Sequence, residues 1–372
     1  MKKTLLRIVV VSIIVISCSI LLLSCSNNEK SNPELLYAEW MSYIKDDVKF
    51  QDVIIPETHN TIAINCDKMP GLSLLVDLSF LNCQQDGVYK QLQYGVRNLD
   101  IRIGAQNGDY FGAHGLGISD VKLSTALEDV VRFVDEHPSE FIMITLYPYV
   151  SKNVSKPQEV VSLVSKIVDF DKYVIPYVPE AQRGNAEFAG IESIDLSKAT
   201  MGDLRKTGKN IIFSTGNYVP TPYVNASRNV SGTWSQEFSV GVVANDGGLY
   251  EHLKELLMNE NSQKYSIGLN RASGSGSDLD EILDTITGRK EKPLDFMLSD
   301  RPLFLELVSW LEENPEYLAN LSGVCFDFGT YDHVQPGHAI RLNAAKGLVK
   351  KELLFRFTVD VNAMIEKQNI NP

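Results

Sequence analysis

Apolar and polar positions alternate along this chain with two different periods, and the changes of period predict its elements. Val53, Ile54 and Ile55 form a short apolar run closed by Pro56, read as a first strand. Over Val96 to Ile103, Leu99 and Ile101 alternate with Asp100 and Arg102, the period-2 signature of a strand with one buried and one polar face. Phe141 to Leu146, Asn210 to Phe213 and Val324 to Phe328 are continuous apolar runs, as expected of parallel strands covered on both faces. Tyr110 to Ala113, Ser239 to Val243 and Tyr265 to Leu269 are shorter strand candidates.

Helical periodicity lies between these runs. Glu34 to Lys45 is amphipathic, and Cys83 to Tyr94 reads as a helix closed by Gly95. Leu123, Leu127, Val130, Val131 and Val134 mark one face of the clearest helix. Thr125 and Glu128 have capping-box spacing there, and Pro138 stands beyond its end. Val160 to Phe170 and Pro302 to Leu311, the latter begun near Asp300, follow, and Ala339 to Lys367 reads as one long terminal helix. Strand and helix alternate without internal repeat or linker, which predicts a single irregular TIM-type βα barrel of the α/β class. Tyr218 to Trp234 and Ala272 to Asp278 read as rim loops.

The first residues follow another rule. Lys2, Lys3 and Arg7 precede an apolar run from Ile8 to Leu23, and Leu22-Leu23-Ser24-Cys25 resembles a bacterial lipobox. The expected organisation is a lipoprotein signal peptide over 1–24, a tether and N-terminal helix over 25–45, and the barrel over 46–372. Lipid on Cys25 would tether the chain in the cell envelope, outside the cytoplasmic membrane; Cys18 is the rival lipidation site and an uncleaved anchor the rival reading. In a Gram-negative cell the place would be the outer membrane or the surface.

Composition narrows the function. Of 372 residues 44% are hydrophobic and 22% charged, a globular balance, and a net charge of −12 argues against a nucleic-acid partner. A monomer is expected. Cys66 and Cys83 bracket an insertion and read either as a disulfide or as two buried thiols; Cys325 reads as a small core residue. The absence of Cys-x-x-Cys spacing argues against a thiolate metal site.

The candidate chemistry gathers between Ile54 and Gly115. His59 and His114 each follow a β-like run, and Asp100 and Arg102 share a strand face between them. A base, an acid and a fixed cation are what phosphodiester chemistry requires. Pro-x-Thr-His-Asn, Gly-Val-Arg-x-Leu-Asp-Ile-Arg and His-Gly, in that order and followed by GVCFDF near Asp327, resemble the X region of bacterial phosphatidylinositol-specific phospholipase C.

That resemblance implies roles. His59 would be the general base oriented by Asp327, His114 the general acid, Arg102 the phosphate clamp, and Asp100 its support. The substrate would be a phospholipid or inositol phosphate. The chain also departs from the family. Asn60 replaces an Asp that pairs with the acid histidine, so Asn60 is expected to orient His114 without charge. Tyr147 stands where a headgroup-binding lysine is expected, Ser214-Thr215 where an arginine is, and Trp234 or Phe238 could lie under the sugar. Calcium-dependent relatives would need ligands at Asn60, Asp100 and two glutamate positions that here hold Asn98 and Tyr147, so no cofactor is expected and calcium is disfavoured. Altered sugar contacts leave two alternatives: action on another or glycosylated headgroup, or a binding lipoprotein without turnover. Leu72 to Leu81 is apolar enough for lipid contact or for ordinary packing.

Overall fold

The computed structural model describes residues 33–66, 79–115, 117–148, 157–178, 184, 186, 189–191, 193–215, 233–234, 248–259, 264–269, 293–331 and 334–369. The Cys25 lipobox, Phe238, Ser239 to Val243, most of Tyr218 to Trp234 and Ala272 to Asp278 lie outside them, as does the apolar stretch up to residue 78. No helix among the described residues is long and apolar enough to cross a membrane.

Nine strands form one sheet among the described residues. They are β1 (Ile55–Thr58), β2 (Asn98–Gln106), β3 (Asp109–His114), β4 (Gly117–Lys122), β5 (Ile142–Pro148), β6 (Ile211–Thr215), β7 (Thr233–Trp234), β8 (Tyr265–Leu269) and β9 (Leu321–Phe326). Seven are parallel and wound in chain order: β1 pairs with β2, β2 with β5, β5 with β6, β7 with β8, and β8 with β9. The last then pairs with the first, Ile55 opposite Gly323 and Thr58 opposite Phe326. That return closes the ring on the β9–β1 side; between β6 and β7 no pairing joins it among the described residues. The antiparallel hairpin β3–β4 extends β2 beyond the ring.

The helices are α1 (Pro33–Glu39), α2 (Val88–Gln93), α3 (Leu123–Glu136), α4 (Pro157–Ile167), α5 (Phe170–Tyr173), α6 (Met201–Lys206), α7 (Gly248–Met258), α8 (Pro293–Glu313), α9 (Val334–Ala345) and α10 (Leu354–Asn369). Period 2 sorts the strand residues. Leu99, Ile101, Ile103, Ile142, Ile144 and Leu146 are buried with the apolar faces of α2, α3 and α4, and Ile267, Val324 and Phe326 with those of α7, α8 and α9. A third apolar cluster joins Met143 and Ile212 to Leu36, Tyr37, Trp40 and Met41 of the N-terminal segment and to Phe357 and Val361 of α10. The bottom of the ring is therefore an apolar plug, whereas Asn98, Asp100, Thr145, Ser214 and Ser266 are buried polar side chains in the strands above it.

Several expected boundaries move for identifiable reasons. Pro56 does not end the first strand. It lies inside β1, where its carbonyl accepts from Arg97 N at 3.0 Å, and a proline gives up only a donor. The helix expected from Cys83 begins only at Val88, because Gln84 is held away by hydrogen bonds from Nε2 to the carbonyls of His59 and Phe326. It ends as expected at Gly95, whose φ of +95° is a backbone conformation that other residues rarely adopt. Thr125 caps nothing, because β4 runs straight into α3 and Lys122 stands at the N-cap. Pro302 lies inside α8 rather than at its start; Phe304, Leu307, Val308 and Leu311 are buried after it and hold the helix across the lost hydrogen bond. The long terminal helix is two, divided at Gly347 (φ +76°), whose N–H donates to Ala344 O at 2.9 Å.

Candidate active site

β1 lies between β9 and β2, so residues just past its end meet the ends of both neighbours. The chain turns at once. His59 N donates to Phe326 O at 3.0 Å and Thr61 N to Asp100 O at 2.7 Å, with Asn60 at φ +45°. Asparagine tolerates this left-handed backbone better than most residues. Phe328, just after Asp327, has φ +49°, which for an aromatic residue costs on the order of 1–3 kcal/mol. Its N–H donates to Cys83 O at 2.7 Å. A strained residue thus follows each of the two side chains that meet here.

Those side chains are His59 and Asp327, joined Nδ1 to Oδ1 at 2.8 Å and both buried. Burial by itself pulls the imidazole pKa down. The charge of Asp327, with its hydrogen bond and that of Cys83, overrides burial and raises it to about 9. With Nδ1 committed to the carboxylate, Nε2 is the nitrogen left to exchange a proton.

His114 arrives from another direction. It ends β3, which reaches the site because Gly112 lets the strand lie on the Ile62 carbonyl, where a Cβ would stand 2.1 Å from the oxygen. The His59 and His114 rings face each other edge to face at 6.0 Å between centroids. His114 Nδ1 donates to Leu81 O at 2.9 Å and lies 3.4 Å from Cys83 Sγ. Asn60 does not orient His114 in the way expected. Its amide nitrogen donates to Cys83 Sγ at 3.4 Å, so the thiol lies between the amide and the imidazole.

Asp100 and Arg102 share the inner face of β2 and are paired, Arg102 Nη2 donating to Asp100 Oδ2 at 3.1 Å. The same oxygen accepts from Asn60 N at 3.3 Å, so the pair also fixes the turn after His59. The Arg102 side chain is 22% exposed, whereas His59, Asn60, Asp100 and Asp327 are buried. Tyr147 stands opposite Arg102 in the β2–β5 register and is half-buried; Trp234 lies on β7 opposite Ser266, away from the β9–β1–β2 wall. The structure thus gathers His59, Asn60, Asp100, Arg102, His114 and Asp327, with Tyr147 alongside.

Four participants escaped the sequence reading. Glu57 is buried two residues before His59 and accepts from Asn98 Nδ2 at 2.7 Å; its place on the same strand face was a usable signal. Leu81, Cys83 and Gln84 sit in an insertion whose pattern carries no such signal. Cys66, Cys83 and Cys325 are buried and in no disulfide, so the second alternative, buried thiols, holds.

A βα barrel carrying two histidines, a carboxylate and an arginine at the C-terminal ends of adjacent strands defines a class of acid–base site. Comparison with known proteins agrees with that class. No protein-family model matches the chain. It is 25% identical over 165 residues to PI-PLC X domain-containing protein 1 of Danio rerio, covering 38% of this chain and 52% of that protein. It is 28% identical over 132 residues to 1-phosphatidylinositol phosphodiesterase of Listeria monocytogenes, covering 36% and 39%. The matched region is about half the length of the first relative and less of the second. Among solved structures, phosphatidylinositol-specific phospholipase C of Listeria monocytogenes superposes with a TM-score of 0.56 at 19% identity, over 82% of this chain and 98% of that one. A mutant phosphatidylinositol-specific phospholipase C of Staphylococcus aureus gives 0.50 at 16% identity, over 81% and 94%. The chain has the irregular TIM-type fold of these proteins, as the sequence resemblance implied.

Proposed function

We propose that the chain is a phosphodiesterase of the phosphatidylinositol-specific phospholipase C type, working by two-histidine acid–base catalysis. The observation that carries this reading is the His59–Asp327 pair at 2.8 Å set against His114 across 6.0 Å, with Arg102 beside them. The relatives' names and the shared fold support it.

In the first step His59 Nε2 removes the proton of the inositol 2-hydroxyl, and the oxygen attacks phosphorus. His114 gives its Nε2 proton to the departing diacylglycerol oxygen, while Arg102 offsets the charge on the phosphoryl oxygens. The products are diacylglycerol and a cyclic inositol phosphate, which water can open with the histidines exchanging roles. In-line displacement puts the incoming and leaving oxygens on opposite sides of phosphorus, so base and acid must be separate groups. The Leu81 carbonyl accepts from His114 Nδ1, so the acid is the imidazolium, Nε2 carries the proton to be given, and the Nδ1–H tautomer remains after transfer.

Calcium has no part in this reading. Asp100 Oδ2 is already engaged by Arg102 and by Asn60 N–H, and a fixed guanidinium occupies the neighbourhood. A cation that takes six to eight oxygens would have to share that region with a permanent positive charge, which disfavours it. We further propose that a lipid on Cys25 tethers the enzyme in the cell envelope beside its substrate.

Tyr147 beside Arg102 favours a second reading at the level of substrate, a phosphodiester with another or a glycosylated headgroup. Purified chain offered phosphatidylinositol, glycosyl-phosphatidylinositol and glycerophosphodiesters, with and without chelator, separates these. Turnover of phosphatidylinositol in chelator is expected; turnover only of the others moves the substrate, and none on any makes the chain a binding protein.

A further inference from the structure

One group in the site has no part in the reaction. Cys83 is fully buried, with Sγ 3.4 Å from His114 Nδ1 and 3.4 Å from Asn60 Nδ2, and it also hydrogen-bonds His59. Donor atoms of His59, Cys83 and Asp327 all lie within 4.8 Å of one another. They come from the end of β1, the segment before α2 and the segment after β9, so no local spacing in the sequence announces them.

This donor set has a chemical preference. A thiol, an imidazole and a carboxylate suit zinc and similar ions, whereas calcium and magnesium take oxygen. In tetrahedral zinc the sulfur and nitrogen ligands stand ~3.5 Å apart. Cys83 Sγ stands 3.4 Å from His114 Nδ1, the candidate for a fourth position, and His59 Nδ1 stands 2.8 Å from Asp327 Oδ1 within the triad. No separation in the triad exceeds 4.8 Å, so gathering the three donors round one ion asks for shifts of about 1 Å.

We propose that His59, Cys83 and Asp327 form a zinc-class metal site that turns the catalytic site off. The ion takes three protein ligands, with the fourth position left to water or His114. Binding releases the thiol proton from Cys83 and a proton from the His59–Asp327 pair, and leaves the metal bonded to the groups that would act as base and its orienter. Metal binding does not depend on the phosphodiesterase reading; the loss of turnover does.

Full-length chain, stripped with chelator and then exchanged free of it, would be titrated with cobalt(II) and followed by absorption. A thiolate-to-cobalt charge-transfer band is expected, saturating at one ion per chain and abolished by added zinc. It should vanish in Cys83→Ser and Cys83→Ala and persist in Cys66→Ala and Cys325→Ala. Should both Cys83 variants fail to fold by circular dichroism, the chain with Cys18, Cys25, Cys66 and Cys325 all changed to Ser, which retains only Cys83, must still give the band. In the turnover assay one equivalent of zinc should lower the rate at least tenfold, reversibly in chelator. No band in the unaltered chain, or a band that survives in folded Cys83→Ser, overturns the site. A band without any loss of an observed turnover overturns the switch. If no turnover exists on any phosphodiester, the spectrum still decides the site.

Discussion

Two arginines five positions apart, one just before β2 and one at its middle, illustrate how one fold uses the same side chain in different ways. Arg97 is enclosed: Nε reaches Glu140 Oε2 at 2.8 Å, and its amino groups donate to the carbonyls of Leu92, Val96, Tyr37 and Ala38. Its guanidinium lies 4.8 Å from the centre of the Phe133 ring, and both members of the ion pair are fully buried. Arg102 is paired with Asp100 at 3.1 Å but keeps 22% of its side chain open. The first ties the N-terminal segment to the bottom of the barrel. The second holds a positive charge where a ligand can reach it.

The largest difference should appear in stability. Burial pushes the Glu140 pKa up against the Arg97 charge, so the carboxylate depends on its partner to stay ionised. Arg97→Met or Glu140→Gln strands one buried charge and should cost about 3–5 kcal/mol, read by urea unfolding. Arg102→Lys should change stability by less than about 1 kcal/mol. Its turnover should nonetheless fall by about 10²–10³, since a point charge cannot replace a two-pronged grip. Equal stability losses at the two arginines would erase the comparison.

A smaller effect sharpens it at the acid–base pair. Asp327→Asn removes the charge that raises His59, so the acid limb of the kcat/KM profile should move down from about 9. The same raised pKa favours the native state below the ordinary histidine pKa of 6.5, and this advantage is lost as pH rises through 9. Unfolding free energy of Asp327→Asn should therefore vary less between those values. An unmoved acid limb would separate Asp327 from His59.

The smallest effect lies outside the site. Burial, then the charges of Arg341 and Arg301, lower His338 to about 4. Its neutral form is the native one, so stability falls as pH drops below 6.5 toward 4. Replacing it by Leu should flatten that part of the curve, measured by unfolding in denaturant.

Much of this was legible in the sequence, for reasons particular residues make plain. The alternation of Leu99, Asp100, Ile101 and Arg102 states a strand and both its faces, and the structure puts the aliphatics under helices and the charges inside. Continuous runs such as Phe141 to Leu146 read correctly because both faces of a parallel strand are covered. What failed were boundaries set by tertiary contacts: Gln84 unwinding the start of α2, buried Phe304 and Leu307 carrying α8 across Pro302, and Gly347 dividing the last helices. In the site, order of motifs suggested His59 and Asp327 as partners. The Leu81 carbonyl and the Cys83 thiol at His114 come from an insertion with no periodic signal, and Asn60 reaches that histidine only through the thiol.

The central claim, that His59 is the base and His114 the acid, predicts unequal sensitivity to the leaving group. A poor leaving alcohol needs a proton; a phenolate such as p-nitrophenolate does not. Turnover of paired substrates, an inositol phosphodiester with an alkyl and with a p-nitrophenyl leaving group, would be measured in His59→Ala and His114→Ala. Each variant should lose about 10²–10⁴ in rate on the alkyl substrate. On the nitrophenyl substrate His114→Ala should recover most of its loss while His59→Ala should not. Equal losses of the two variants on both substrates would contradict the assignment.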